Sequence, residues 1–268
     1  MIEKSAEFEG QVALVTGGGS GIGRGIALRY AAGGGDVVVL GRRTEPLEET
    51  ARMAEKYGVT AGIISCDVRD SDAVTAAVDG VVAEHGRLDA LVNNAAGNFT
   101  CPAEDLSPGG WRAVVDIVLN GTFYASRAAG RHMLVAAEGG AILNVIASYA
   151  WHGHPGTVHS AAAKGGVLAM TRTLASEWGG RGVRVNCLSP GPTETEGAGA
   201  ALWPTEEDRA RVLASVPAGR FTTPEEVAES AAFLLDRKRA AYVNGDVLSV
   251  DGGQWLGKVV YGNSSAGR

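Results

Sequence analysis

Gln11-Val12-Ala13-Leu14-Val15-Thr16 is a short apolar run that stops at Gly17-Gly18-Gly19-Ser20-Gly21-Ile22-Gly23-Arg24-Gly25, and Ile26-Ala27-Leu28-Arg29-Tyr30 then opens a helix. A buried strand, a glycine-dense turn and a helix in that order leave few folds open. Glycines let backbone approach a pyrophosphate. The helix amino terminus adds free N–H groups and a positive dipole end. The spacing is Thr16-Gly17-xxx-Gly21-x-Gly23. Gly17, Gly18, Gly19, Ser20, Gly21, Ile22 and Gly23 are therefore candidates to hold a phosphate; the alternative is a glycine-rich turn with no ligand.

The pattern repeats along the chain. Asp36 to Gly41 reads as the second strand and ends at Arg42-Arg43-Thr44. In dinucleotide-binding units this strand end carries an acid for a ribose hydroxyl. Two guanidiniums in its place suit a 2′-phosphate, or stand as solvated arginines at a helix start. Thr44 to Tyr57 reads as helix and Val59 to Ser65 as the third strand, which ends in Cys66-Asp67-Val68-Arg69-Asp70. An aspartate there can accept from an adenine amino group, or cap the helix expected over Ser71 to His85. Leu88 to Val92, the fourth strand, runs into Asn93-Asn94-Ala95-Ala96-Gly97-Asn98-Phe99, where amides beside small residues let a cofactor approach closely. Ser107 caps a long helix with Pro108 in its first turn. Asn120, in the middle of that helix, needs partners and reads as an anchor for the site. Ala141 to Ile146, Val183 to Ser189 and Val247 to Val250 complete the strands, and Thr223-Pro224-Glu225-Glu226 starts a last helix. The stretch from about 193 to 215, small and polar around Leu202 and Trp203, has the composition of a substrate lid.

One α/β domain accommodates 268 residues that are 45% hydrophobic and 20% charged. A net charge of −6 without any run of lysine or arginine gives no electrostatic support for binding nucleic acid or an anionic membrane. Cys66, Cys101 and Cys187 lie far apart, which argues against a disulfide framework and for a reducing compartment. No CxxC pair or Cys–His cluster occurs, so no metal site is expected. The amino terminus does not read as a signal peptide and no apolar run reaches membrane-spanning length; a cytoplasmic location is the expectation.

Chemistry concentrates in Ala147-Ser148-Tyr149-Ala150-Trp151-His152-Gly153-His154 and Ser160-Ala161-Ala162-Ala163-Lys164. Ligands of a parallel sheet bind at strand carboxyl ends. Ser160 and Lys164, four apart on a helix, share a face. Tyr149 lies in the strand-end loop that can fold over it. Tyr149 and Lys164 are expected to act together on a reducible substrate. The charges of Lys164 and an oxidised nicotinamide would lower the tyrosine pKa from its ordinary value near 10. His152, His154 and His159 read as substrate-pocket or surface residues.

Taken together, Thr16-Gly17-xxx-Gly21-x-Gly23, Asn93-Asn94-Ala95, Asn120, Lys164, Pro190-Gly191 and Asp251-Gly252-Gly253 resemble the short-chain dehydrogenase/reductase superfamily over about residues 8 to 257. The resemblance implies one doubly wound Rossmann domain with a seven-stranded parallel sheet, and usually a homotetramer packed through the helices from Ser107 and Ser160. It also implies that Asn94, Ala95, Lys164, Pro190, Gly191 and Thr193 contact the cofactor. The usual catalytic pattern is Tyr-xxx-Lys with a serine thirteen residues before the tyrosine. Here those positions hold Ser160 and Ala147.

The narrower family of 2,4-dienoyl-CoA reductases accounts for the difference. Asn93 to Phe99, Leu106-Ser107-Pro108, Asp116 to Thr122 and Pro190-Gly191-Pro192 look like that family, whose tyrosine is displaced upstream. By that resemblance Tyr149, Ser160, Lys164 and Asn98 are catalytic. Asp67 serves the cofactor, and Arg69, Phe99 and Ser107 serve the substrate. No arginine stands among Gly197 to Leu202, where the family has one for the CoA. The expected activity is NADPH-dependent reduction of a conjugated enoyl thioester, most simply 2,4-dienoyl-CoA in fatty acid metabolism. The rivals are a carbonyl reductase using Tyr149 as acid, and a silent cofactor-binding member.

Overall fold

Strand and helix alternate almost throughout the computed structural model, which describes residues 4–195, 203 and 205–256. The strands are β1 (Val12–Thr16), β2 (Asp36–Gly41), β3 (Ala61–Ser65), β4 (Ala90–Asn93), β5 (Gly140–Val145), β6 (Val183–Pro190) and β7 (Val247–Val250). They form one parallel sheet in the order β3-β2-β1-β4-β5-β6-β7. Strand order reverses between β1 and β4, which opens a crevice at their carboxyl ends.

The central strands β1, β4 and β5 are buried on both faces because helices cover both. Ala13 and Val15 of β1 face one core cluster, shared with α1 (Gly21–Ala32) and α9 (Pro224–Leu235). Val12 and Leu14 face the other, shared with α3 (Ser71–His85) and α5 (Gly121–Met133). The remaining helices are α2 (Thr44–Glu55), α4 (Pro108–Val115), α6 (Tyr149–His152), α7 (Val158–Trp178) and α8 (Glu206–Ala214). No helix among the described residues is long and apolar enough to cross a membrane.

Local chemistry sets the boundaries. Asp70 caps α3 by accepting from the amides of Asp72 and Ala73, and Ser107 caps α4 through Gly110. Thr223 and Glu226 form a reciprocal capping box at α9. Three features depart from the sequence reading. The long helix from Ser107 is interrupted by a π-helical turn, Asp116–Asn120, where Asn120 Nδ2 donates to Asp116 at 2.8 Å. Tyr149 sits in a single helical turn, not a loop. Part of the expected lid is the helix α8; Gly197 to Leu202 lie outside the described residues, while Trp203 is buried.

Gly23 packs where no side chain fits: a Cβ there would overlap the Gly17 carbonyl and the Asn94 amide. Gly80, on α3, has open space around it. Gly23→Ala should therefore lower unfolding free energy by about 1–3 kcal/mol, the usual cost of overpacking. Gly80→Ala should be neutral or stabilise by up to about 1 kcal/mol, since alanine is the better helix former. Urea denaturation of both variants checks the pair; equal effects would contradict the packing described.

Candidate active site

The glycine turn lies at the crevice. Gly17 adopts φ +66°, a region glycine enters without strain, so the chain turns sharply from β1 into α1. Asn94 braces it, donating from Nδ2 to the carbonyls of Thr16 (3.2 Å) and Gly17 (3.1 Å). The Thr16 hydroxyl accepts from the amides of Asn94 and Ala95 at 3.1 Å each. Ser20 occupies the amino-terminal cap of α1, but its side chain makes no capping bond. Exposed hydroxyl, open helix end and small residues fit a pyrophosphate. Sequence reasoning passed over Arg24, which donates to the Gly19 carbonyl at 2.7 Å and pairs with Glu49 on α2, fixing the outer edge of the turn.

At the next strand ends Arg42 is exposed, with no hydrogen bond or ion pair among the described residues, so it is available to an incoming phosphate. Asp67 and Arg69, assigned by resemblance to cofactor and substrate, pair with each other at 2.5 Å. Arg69 first, and Arg42 through space, hold the Asp67 carboxyl below its ordinary range. Asp70, not Asp67, caps α3.

The catalytic candidates follow β4 and β5 or lie on α7, and among the described residues the direct contact between them is that of Tyr149 with Ser160. Tyr149 Oη lies 3.1 Å from Ser160 Oγ. Lys164 Nζ donates to the Val145 carbonyl at the end of β5 and is buried. Asn98 uses its side-chain oxygen to accept from the Phe99 amide at 3.0 Å, which leaves its NH₂ free to donate. The Asn98–Phe99 segment is tied to the start of α7 twice. Cys101 N donates to Gly156 O at 2.8 Å, and the Phe99 ring meets the His159 ring edge-on at 4.5 Å. Ser107, a substrate candidate, already spends its hydroxyl on the cap of α4. In the loop after β6, Gly191 N bonds Val250 O, and the Thr193 hydroxyl donates to Gly191 O at 3.0 Å.

Ser160, placed by the sequence on the helix face of Lys164, meets Tyr149. Two expectations need correction. Burial pushes the Tyr149 phenol up from its ordinary value, only partly offset by Ser160; the lowering expected from Lys164 does not occur in the protein alone. His159 is neither a surface nor an open pocket residue. It is wholly buried, and burial holds the imidazole below its ordinary range, only partly offset by the Thr157 backbone.

Beneath the site runs a buried polar chain that sequence reasoning missed. Asn93 Nδ2 donates to Asn144 and Ser126, Asn144 Nδ2 to Thr171, and Cys187 Sγ to Thr171, at 2.8–3.1 Å. The only signal was polar residues inside strand and helix patterns that otherwise read as core.

A phosphate cradle at the switch point of a doubly wound sheet, with tyrosine and lysine at the next strand ends, defines a dinucleotide-dependent oxidoreductase. Comparison with known proteins agrees. Residues 17–254 match the family described as enoyl-(acyl carrier protein) reductase, and the chain belongs to this branch of the short-chain dehydrogenases/reductases. It is 50% identical over 250 residues to a Bacillus subtilis (strain 168) protein described as "Probable 2,4-dienoyl-CoA reductase [(2E)-enoyl-CoA-producing]", covering 93% of this chain and 98% of that one. A crystal structure of a Bacillus anthracis short-chain dehydrogenase superposes with TM-score 0.84 at 46% identity, covering 92% of this chain and 97% of the other. An NAD(P)-dependent protein from Beutenbergia cavernae, crystallised with NADP at low occupancy, superposes with TM-score 0.88 at 38% identity over 94% of this chain and all of that one.

Burial drives the Lys164 amine down from 10.5 to about 8. Below that value the amine is charged in both folded and unfolded chains, and the burial cost is constant. Between about 8 and 10.5 the unfolded chain holds a proton that the folded protein does not, so stability rises with pH. The shift corresponds to on the order of 3 kcal/mol. Lys164→Met lacks this rise. The stability difference between the two proteins should therefore move toward the unaltered one by that order between pH 7 and pH 10.5 in urea denaturation of the cofactor-free proteins. A flat difference would contradict the burial argument.

Proposed function

We propose that this oxidoreductase uses NADPH to reduce a conjugated enoyl thioester, 2,4-dienoyl-CoA being the simplest substrate. The observation that carries the reading is the bond between Tyr149 and Ser160. Ser160 stands where the superfamily keeps its acid, and a serine hydroxyl is far too weak an acid for that task. Tyr149 reaches the same place from the turn after β5. The name of the B. subtilis relative supports the substrate class.

When bound, the nicotinamide supplies a hydride to the carbon of the conjugated system remote from the thioester. Negative charge then develops on the thioester oxygen. The Tyr149 hydroxyl and the free NH₂ of Asn98 donate to that oxygen, as in an oxyanion hole. The raised Tyr149 pKa keeps the phenol protonated and able to donate near neutral pH. Ser160 aims the phenol. Lys164, at the base, bonds the nicotinamide ribose and adds positive charge near the developing oxyanion. Tyr149 or a water delivers the proton to carbon. Gly17 to Gly23 hold the pyrophosphate, Arg42 the 2′-phosphate and Asp67 the adenine. Arg69, Phe99 and Ser107 line the thioester side. Exposed Trp111 and Phe123 on α4 and α5, with Val158 on α7, support assembly as a homotetramer through these helices; a monomer in light scattering would contradict that.

A charge-assisted contact from Arg42 to the 2′-phosphate should be worth about 1.5–3 kcal/mol. Arg42→Ala should raise the KM for NADPH by that amount and leave the KM for NADH nearly unchanged. Equal use of both cofactors by the unaltered protein would remove this role.

Turnover of NADPH with dienoyl, enoyl and keto thioesters tests the substrate class, and the dienoyl compound should be preferred. Tyr149→Phe should cut turnover roughly a hundred- to thousand-fold while NADPH still binds. Asn98→Ala should do comparable damage, and Ser160→Ala less. Near-full activity in Tyr149→Phe, with Ser160→Ala inactive, would overturn the acid assignment.

A further inference from the structure

The turn that carries Tyr149 has little holding it in place. α6 is four residues long, and a single turn has no helical stability of its own. Among the described residues its only hydrogen bond to another element is that between Tyr149 and Ser160. The rest of its placement is packing. Trp151, half-buried, lies on the apolar cluster of Val114, Val118, Ile146 and Leu168. Its outer side meets the Trp255 ring edge-on, with centroids 5.9 Å apart and planes at 87°.

The Trp255 backbone is held, while its ring stays partly exposed. The Asp251 carboxylate accepts from Gly253 N and Trp255 N at 3.0 Å each. The neighbouring Gln254 donates to Ser215 Oγ at 2.9 Å, at the end of α8. Asp251 is buried and backs directly onto the loop after β6, where a Cβ on Gly191 would lie 2.6 Å from the Asp251 Cα. A turn tied by Asp251 thus sets an aromatic ring against Trp151 of α6. That helix carries the proposed oxyanion donor two residues upstream.

We propose that Trp255 is a positioning residue for Tyr149: through Trp151 it fixes α6, so that the phenol keeps its bond to Ser160 and its aim into the site. The inference rests on the role proposed above for Tyr149. Among the described residues the Trp255 ring meets the site only through Trp151, so its removal should lower kcat and leave cofactor affinity alone. It should also let water reach Tyr149 and relieve the burial that raises its phenol.

The test compares Trp255→Ala and Trp255→Phe in the full chain by two readouts. The first is turnover of the best conjugated thioester, with NADPH binding followed by its fluorescence. The second is alkaline titration of Tyr149 by phenolate absorbance, taken as the difference between each protein and the same protein carrying Tyr149→Phe. Trp255→Ala should lower kcat roughly tenfold or more, a modest share of what misplacement of a reacting group can cost. It should also shift the Tyr149 titration to lower pH, with NADPH affinity unchanged. Trp255→Phe, which keeps an aromatic edge, should restore both. Unchanged kcat and titration in Trp255→Ala would overturn the proposal, as would a loss that Trp255→Phe does not repair. The titration needs no substrate. If no thioester is reduced but the Tyr149 titration moves with Trp255, the functional reading falls and the strut stands.

Discussion

The register of α7 against the sheet is the constraint on which the site depends, and a buried hydrogen-bond chain sets it. Thr171 lies two turns beyond Lys164 and receives Asn144 from β5 and Cys187 from β6. Asn144 in turn receives Asn93 of β4. The strand register places Thr16, Asn93, Asn144 and Cys187 in one row across the sheet. In a low-dielectric interior such a chain is strong when complete and costly when one member is missing. It therefore holds the helix to a single registration, and Ser160 and Lys164 follow wherever Thr171 is fixed.

The two halves of the site are built differently. On the cofactor side, Thr16 and Asn94 stitch β1 to β4 directly beneath the glycine turn, and Arg24 clamps its far edge. That half is preorganised by backbone and short side chains. On the substrate side, Tyr149 hangs on one helical turn, the Asn98 segment on a backbone bond and a ring contact, and Phe99 stays exposed. Segments with few buried contacts sit at the low-stability end of a fold, where groups that must accommodate a substrate are found.

Much of this was legible in the sequence because it follows from period and punctuation. The apolar runs gave strands whose ends moved by at most two residues, and the caps at Asp70, Ser107 and Thr223 stand where serine, threonine and aspartate precede helical patterns. The candidate catalytic set could be named only through the narrower family it resembles, because Ser160 and Ala147 depart from the superfamily's usual pattern. The partners within the set could not. Spacing put Ser160 and Lys164 on one helix face, but the Ser160 side chain meets Tyr149 across a turn that no periodicity announces. Lys164 was expected to lower the tyrosine pKa, but burial, which is a property of the packed molecule, acts the other way. The π-helical turn at Asn120, the burial of His159 and the Trp151–Trp255 contact depend on geometry between elements, and a one-dimensional pattern does not carry it.

The central claim is that the displaced tyrosine polarises a thioester so that hydride enters the conjugated carbon system and the carbonyl survives. Product analysis after turnover of 2,4-dienoyl-CoA with deuterium-labelled NADPH tests it most directly. The account predicts deuterium on a carbon of the former diene, remote from an intact thioester. Deuterium on the carbonyl carbon of an alcohol or aldehyde product would contradict it.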